Sequence, residues 1–158
     1  MAGPVKTNVM RLLEQAGIPF QAHFYGPETG TDGVSVAKTL GQDPQRVFKT
    51  LVTVGKSRQM YVFVIPVAET LELRLAATAC GEKAVEMIPQ KLLLPQTGYI
   101  HGGCSPIGMK RALPTIIDET AQLFDTICVS AGRIGAQIEL APDDLCRMTG
   151  AQYTALTV

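Results

Sequence analysis

Residues 47–65, VFKTLVTVGKSRQMYVFVI, contain the clearest strand signal in this chain of 158 residues. The run 47–54 is rich in β-branched residues, a turn-forming segment follows at 55–57, and residues 60–65 are again largely apolar. Two such runs on either side of a short turn predict an antiparallel β-hairpin. We therefore expect the sheet to extend outward from this hairpin.

Further short apolar runs lie on both sides of the hairpin, separated by turn residues and by segments with helical spacing. Strands are predicted at 20–25, 84–87, 114–118, 126–130, 136–140 and 153–158. Helices are predicted at 5–13 with Pro4 in the first turn, at 36–40, at 73–80, at 89–94 before Pro95, at 119–124 and at 142–148. The pattern indicates one domain, residues 1–158, of the α/β class and α+β type: a mixed, largely antiparallel, barrel-like sheet flanked by short helices.

Charge and hydropathy exclude several classes of protein. Lys and Arg together number 14, as do Asp and Glu, so the formal net charge is zero. This balance argues against a protein that holds nucleic acid by bulk electrostatics alone. Residues 1–6 lack the apolar run of a secretory signal, and no apolar stretch has transmembrane length. We expect a cytoplasmic protein without a membrane partner.

The cysteines and histidines do not have metal-ligand spacing. The four cysteines are far apart, without a C-x-x-C pair, and indicate reduced, mostly structural thiols. Neither His23 nor His101 has a second ligand at a metal-binding interval. We therefore expect neither a metal site nor a cofactor.

Lys49 is the single cation in the strand predicted at 47–54. A lysine in such a strand commonly extends its ammonium to solvent from a strand end. This interpretation has a physical reason, because a fully buried and unpaired ammonium would lose its proton. A binding role for Lys49 is the alternative. The residues alone leave both interpretations open.

The segment 98–111, GYIHGGCSPIGMKR, is predicted to be a fixed loop. Gly102 and Gly103 can adopt positive φ and allow close backbone approach, and Ser105 before Pro106 is biased toward extended geometry. Consecutive N–H groups in such a loop form a concavity for a carbonyl oxygen, carboxylate or phosphate. The alternative is a tight crossing between two strands without a ligand.

Several short motifs share an order and spacing over some 150 positions with one family. The chain resembles the YbaK/EbsC family of aminoacyl-tRNA deacylases, relatives of the editing domain inserted in bacterial prolyl-tRNA synthetases. The motifs are IPF at 18–20 with Tyr25, VFKTL at 47–51, VEM at 85–87, TGY at 97–99, GG at 102–103 with SP at 105–106, PTIID at 114–118 and VS at 129–130.

The resemblance implies site residues as well as a fold. In the family, the lysine after the aromatic residue and the glycine pair line the pocket for the aminoacylated 3′ end of tRNA. The implied catalytic residues are Lys49, Gly102 and Gly103. The implied substrate-binding residues are Tyr25, Thr50, Ser105 and Ser130.

The resemblance also implies an activity and partners. The implied enzyme is a freestanding trans-editing hydrolase that clears cysteine from mischarged tRNA(Pro), with Cys-tRNA(Cys) as a further candidate substrate. The substrate's own thiol would attack the ester, and prolyl-tRNA synthetase would be the protein partner. Alternatives are removal of alanine or another small amino acid, and a non-catalytic module that binds the tRNA end or a synthetase. The oligomeric state stays open.

Two positions depart from the family pattern. Gln137 stands where an aspartate is expected, so the role of a carboxylate there is in doubt. Cys104 stands between the glycine pair and Ser105, where an aliphatic residue is usual. Cys104 is a possible nucleophile by residue type, but the sequence assigns it no His–Asp or His–Asn partner.

Overall fold

The computed structural model describes residues 6–158. The helices are α1 (Asn8–Gln15), α2 (Gly33–Thr39), α3 (Leu73–Cys80), α4 (Leu93–Thr97) and α5 (Pro142–Thr149). The strands are β1 (Gln21–Phe24), β2 (Phe48–Gly55), β3 (Met60–Pro66), β4 (Val85–Met87), β5 (Thr115–Asp118), β6 (Ile127–Arg133), β7 (Ala136–Leu140) and β8 (Gln152–Thr154). Short 3-10 helices occupy Pro27–Thr29, Gln90–Leu92 and Glu119–Leu123.

The strands form two sheets. The larger has the order β4-β2-β3-β5-β8; β2 is antiparallel to β4 and β3, whereas β5 is parallel to β3 and β8. The smaller has the order β1-β7-β6 and is antiparallel. A parallel bridge between Val47 and Cys128 joins them. The predicted mixed, largely antiparallel arrangement with short helices is confirmed, but over residues 6–158 the strands form two sheets and no closed barrel.

The β2–β3 hairpin is the centre of the larger sheet, as the sequence predicts. Its register runs from Phe48 opposite Pro66 to Val54 opposite Met60. Alternate residues of each strand lie on opposite faces, so one hairpin supplies two apolar layers. One layer joins the main core with α1 and the smaller sheet, and includes Phe48, Val52, Val62, Val64, Val9, Leu13, Val129 and Ile138. The other packs beneath α3 and includes Phe63, Ile65, Ala76, Ala77 and Leu156.

Helix α1 begins at a side-chain cap. The Thr7 hydroxyl accepts a hydrogen bond from the Met10 N–H, which satisfies one of the unpaired donors at the helix start. Val9, Met10 and Leu13 are buried against the core, so the predicted helical spacing is confirmed here. The predicted positions of Pro4 and Val5 in the first turn lie outside the described residues.

Several element ends differ from the sequence prediction, and three of them have a clear physical reason. Pro95 lies within α4 instead of ending the preceding helix, because the first helical N–H groups have no intrahelical acceptor and a proline there removes no bond. Strand β8 ends at Thr154, since the Leu156 N–H donates to the Asp118 carboxylate rather than to a neighbouring strand. Strand β6 extends to Arg133, beyond the predicted end at Ser130, because a bulge between these two residues accommodates Gly132.

Candidate active site

A cleft of roughly 340 Å³ opens where the two sheets meet. Its walls come from the start of β2, from the loop and first turn of α2 at 31–36, and from His101, Gly102 and Cys104. Ser130 and Gln137, which are register partners on β6 and β7, complete the polar part of its lining. Four segments that are distant in sequence therefore form one concave surface, the usual location of a small-ligand site.

The cleft brings together most of the residues that the family resemblance implies. Five of the seven line the cleft, and the other two belong to the loop segment that forms one of its walls. The lining residues are Tyr25, Lys49, Thr50, Gly102 and Ser130, whereas Gly103 and Ser105 are not among them.

Lys49 is a half-buried cation without a close counter-ion. It lies opposite Ile65 in the β2–β3 register, and within residues 6–158 no carboxylate lies within ion-pair distance of its ammonium. Burial lowers the pKa of Lys49, and the charge of Glu69 partly opposes this effect. A cation in this environment gains from an anionic or strongly polarised ligand, which would replace the lost hydration.

Two hydroxyl groups add hydrogen-bonding capacity. The Thr50 Oγ1 atom is buried and has no hydrogen-bond partner in the described part of the chain. The Ser130 Oγ atom accepts the Gly132 N–H at 3.1 Å, so its own proton remains to be donated. Buried polar groups are normally paired, so the unpaired Thr50 hydroxyl indicates a missing ligand or water.

Gly102 and Gly103 have different structural roles. Gly102 has φ of +88° and lines the cleft, and a Cβ there would lie 3.1 Å from Thr31 Cβ. The Gly103 N–H donates to the Ile100 carbonyl at 3.0 Å, so it is occupied within the loop. A Cβ on Gly103 would meet Arg133 and Ile134 backbone atoms at 2.9–3.0 Å. Gly102 thus allows approach to the cleft, whereas Gly103 lets the loop pack against the β6–β7 hairpin.

Ser105 stabilises the same loop from within. Its side chain is fully buried, and its Oγ accepts the Ile107 N–H at 3.3 Å. The loop is further tied down by Tyr99, whose hydroxyl donates to the Ile107 carbonyl at 2.5 Å. The loop predicted at 98–111 therefore reaches the cleft, but the Ser105 hydroxyl turns inward instead of toward the cleft.

Cys104 lines the cleft but does not have the properties of a nucleophile. Only 8% of the residue is exposed, and burial raises the pKa of its thiol to about 12. Catalytic cysteines instead have a depressed pKa and a cationic neighbour that stabilises the thiolate. At neutral pH the Cys104 thiol is therefore protonated and unreactive.

The family resemblance implies a deacylase activity, and we predict that Cys104→Ala retains this activity within several-fold of the wild type, because the protonated thiol supplies no electron pair to the reaction. The measurement is the rate of aminoacyl-tRNA deacylation at saturating and subsaturating substrate. Alkylation with iodoacetamide should also be slow at Cys104. A complete loss of activity together with a trapped acyl-enzyme on Cys104 would contradict this prediction.

Three cleft features were not assigned by the sequence. Asp32 caps α2 by accepting the Ser35 N–H at 3.0 Å and lines the cleft, and so does His101. Gln137 departs from the family pattern, but the sequence does not indicate its partner Gln42. A cap residue followed by a helix could have indicated Asp32, whereas no local pattern connects Gln42 with Gln137.

A second polar cluster lies on the smaller sheet, outside the residues that line the cleft. His23, Cys128 and Glu139 have potential metal-ligating atoms within 4.8 Å of one another. The Glu139 carboxylate already accepts from His23 at 2.8 Å and from Thr126 at 2.5 Å, and Arg46 lies 3.5 Å away. These contacts lower the pKa of Glu139, first through the Thr126 hydrogen bond. Because Arg46 supplies a positive charge there, the cluster is better explained as a hydrogen-bonded ion-pair network than as a cation site.

Comparisons with solved structures confirm the fold. One neighbour, "Crystal structure of a putative trans-editing enzyme for prolyl tRNA synthetase", has a TM-score of 0.85 at 23% identity and covers 98% of this chain and 99% of that chain. Another, "Crystal structure of hypothetical protein APE2540", has a TM-score of 0.86 at 21% identity, over 95% and 99% of the two chains. Within residues 6–158, no helix has the length and apolar character needed to cross a bilayer.

Sequence comparisons reveal the family. A protein of Enterococcus faecalis (strain ATCC 700802 / V583), "Putative Cys-tRNA(Pro)/Cys-tRNA(Cys) deacylase EbsC", is 47% identical over 153 residues, 96% of this chain and 93% of that protein. "Uncharacterized protein YwhH" of Bacillus subtilis (strain 168) is 28% identical over 109 residues, 69% of each chain. The family model described as "Aminoacyl-tRNA editing domain" matches residues 28–148, which include every residue lining the cleft except Tyr25. The predicted family is confirmed, and the chain belongs to the aminoacyl-tRNA editing domain family.

Proposed function

We propose that this protein is a trans-editing aminoacyl-tRNA deacylase that removes cysteine from mischarged tRNA(Pro), acting as one editing domain over residues 1–158. The observation that carries the proposal is the cleft itself, which combines the uncompensated Lys49 ammonium with the unpaired Thr50 hydroxyl. The name of the 47% identical relative supports a cysteinyl substrate.

The chemistry needs little from the protein beyond positioning and charge stabilisation. An aminoacyl ester is already reactive, and negative charge develops on its carbonyl oxygen as a nucleophile adds. Lys49 supplies a compact cation for this oxygen or for the terminal phosphate. The Thr50 and Ser130 hydroxyls and the open backbone at Gly102 offer further contacts around the ester.

The substrate's own thiol is the nucleophile in this proposal. The cysteine sulfur, after losing its proton, adds to the ester carbonyl, and the bond to the ribose oxygen breaks as that oxygen takes up a proton. The products are uncharged tRNA and a cyclic thioester, which water then hydrolyses to cysteine. A free thiol has a pKa of roughly 8.5, so a few per cent is thiolate at neutral pH and attacks far faster than water. The protonated state of Cys104 is consistent with a mechanism that uses no protein thiol.

The partners in this proposal are the cysteinylated acceptor end of tRNA(Pro) and prolyl-tRNA synthetase. Lys and Arg equal Asp and Glu in number, so the chain lacks the excess of cations that holds the body of a tRNA. A synthetase bound to the same tRNA would raise the local concentration of the ester without new contacts in the cleft. In this proposal the synthetase supplies the selectivity for tRNA(Pro), because the basic residues of the chain do not outnumber its acidic residues.

We predict that the purified protein deacylates Cys-tRNA(Pro) faster than Ala-tRNA(Pro) and leaves Pro-tRNA(Pro) intact, because only cysteine carries the attacking thiol. The measurement is release of labelled amino acid from each tRNA, with Cys-tRNA(Cys) as a further substrate, with and without prolyl-tRNA synthetase. A preference for Ala-tRNA(Pro) would replace the cysteine proposal with an alanine deacylase. No turnover of any ester, together with binding of tRNA or synthetase, would indicate a non-catalytic module.

A further inference from the structure

Gln42 and Gln137 form an amide pair beside the cleft. Gln42 follows α2, and its backbone is fixed because its N–H donates to the Ala37 carbonyl at 2.8 Å. Its side-chain Nε2 donates to Gln137 Oε1 at 2.7 Å. Gln137 is only 4% exposed, and it lines the cleft between its register partners Ser130 and His23.

The pairing fixes which end of the Gln137 amide is available to a ligand. Its oxygen is occupied by Gln42, so the Nε2 group is the part left for the cleft, and no acceptor within residues 6–158 takes its protons. In the reversed arrangement Gln137 Nε2 would donate to Gln42 Oε1, and the two N–H donors of Gln42 would be buried without an acceptor. In the observed arrangement the unpaired group is instead a carbonyl oxygen, Gln42 Oε1. Buried N–H groups without acceptors are rarer and costlier than under-satisfied carbonyl oxygens. The observed orientation is therefore the stable one.

Two other polar side chains that line the cleft also present hydrogen-bond donors to it. Lys49 is a donor without acceptor capacity, and the Ser130 oxygen already accepts the Gly132 N–H. The carboxylate that lines the cleft, that of Asp32, is exposed and caps α2. The inner wall of the cleft, defined here by Lys49, Ser130 and Gln137, thus offers hydrogen-bond donors and a positive charge to a ligand.

We propose that Gln137 donates a hydrogen bond to the carbonyl oxygen of the aminoacyl group, and that Gln42 is a positioning residue that sets this donor orientation. The inner wall then binds an acceptor oxygen and not the α-ammonium group of the amino acid. The identity of the ligand rests on the proposed function, whereas the inference that Gln137 presents its N–H donors to the cleft rests on the amide pair. Gln42 thereby controls specificity without lining the cleft.

Two substitutions replace the hydrogen-bond donor that Gln137 presents to the cleft with an acceptor, each in a different way. Gln137→Glu keeps the side-chain shape and still accepts the Gln42 hydrogen bond, but it presents a carboxylate oxygen to the cleft. Gln42→Glu cannot donate to Gln137, so the Gln137 amide turns to donate to the new carboxylate and presents Oε1 to the cleft. Gln122→Glu makes the same charge change at an exposed position and is the matched control.

The test measures equilibrium binding of two non-hydrolysable probes by calorimetry. One is adenosine carrying cysteine through a 3′-amide, and the other carries 3-mercaptopropanoate, which lacks only the α-amino group. We expect the wild type and Gln122→Glu to bind both probes within about threefold, because the inner wall does not contact the ammonium. Gln137→Glu and Gln42→Glu should weaken the des-amino probe at least about tenfold and shift preference toward the aminated probe.

The inference would be overturned if the wild type bound the des-amino probe more than tenfold more weakly than the aminated probe. It would also be overturned if Gln137→Glu had the same probe preference as the wild type, or if the wild type bound neither probe. If Gln42→Glu does not fold, Gln42→Met should still reduce affinity for the des-amino probe severalfold, and unchanged affinity in that variant would remove Gln42 from the mechanism. Probe binding as expected without turnover of any mischarged tRNA would instead refute only the proposed function.

Discussion

Lys49→Ala is expected to lower kcat/KM for Cys-tRNA(Pro) by about 100-fold or more, the effect typical of losing a group that stabilises a developing oxyanion. The fold should remain, because the half-buried ammonium has no ion-pair partner in residues 6–158 and its desolvation opposes folding. We expect the free energy of unfolding to change by less than about 1 kcal/mol. Deacylation kinetics and denaturant unfolding of the same preparation measure the two effects.

Lys56→Ala is the matched control, since Lys56 is exposed in the turn between β2 and β3. It should leave activity unchanged. The wild type adds a pH test: burial lowers the pKa of Lys49, so the contribution of its ammonium should be lost as pH rises, beginning below the range of an exposed lysine. Wild-type activity in Lys49→Ala would show that Lys49 is only a strand residue and that the cleft is assigned to the wrong function.

Gly103→Ala is expected to reduce the free energy of unfolding by at least about 2 kcal/mol, within the range for overpacking a rigid site. The added methyl would meet Arg133 and Ile134 at backbone atoms, at 2.9–3.0 Å, and backbone cannot move aside as a flexible side chain can. The loop and the β6–β7 hairpin would separate, displacing Gly102 and Ser130 from the cleft. Deacylation should therefore fall at least about tenfold in parallel with stability.

Gly150→Ala separates this steric effect from backbone strain. Gly150 ends α5 with φ of +72°, and a Cβ there would have no neighbour within 4 Å. We expect a loss of about 1 kcal/mol of stability and normal activity. If Gly103→Ala unfolds like the wild type while its activity is lost, Gly103 contacts the substrate directly and its packing role is refuted.

The candidate site was largely predictable where it depends on local pattern. The β-branched run of 47–54 and the opposing run of 60–65 are confirmed as β2 and β3, because side-chain packing on a pleated surface is encoded in neighbouring residues. Lys49 and Thr50 follow from that strand and the family motif. The segment around Gly102 is predictable as a loop because proline restricts φ and glycine permits positive φ, and both interrupt helices and strands.

Tertiary structure alone decided which of these groups can meet a ligand. The roles of Gly103 and Ser105 depend on the hairpin and the buried loop that pack against them. The bond between Gln42 and Gln137 joins residues 95 positions apart, and no periodicity or spacing records such a pair. The same holds for the division of the strands into two sheets, joined at Val47 and Cys128. Sequence pattern fixes the local backbone and burial preference of each segment, whereas the orientation of a side chain depends on neighbours that only the packed chain supplies.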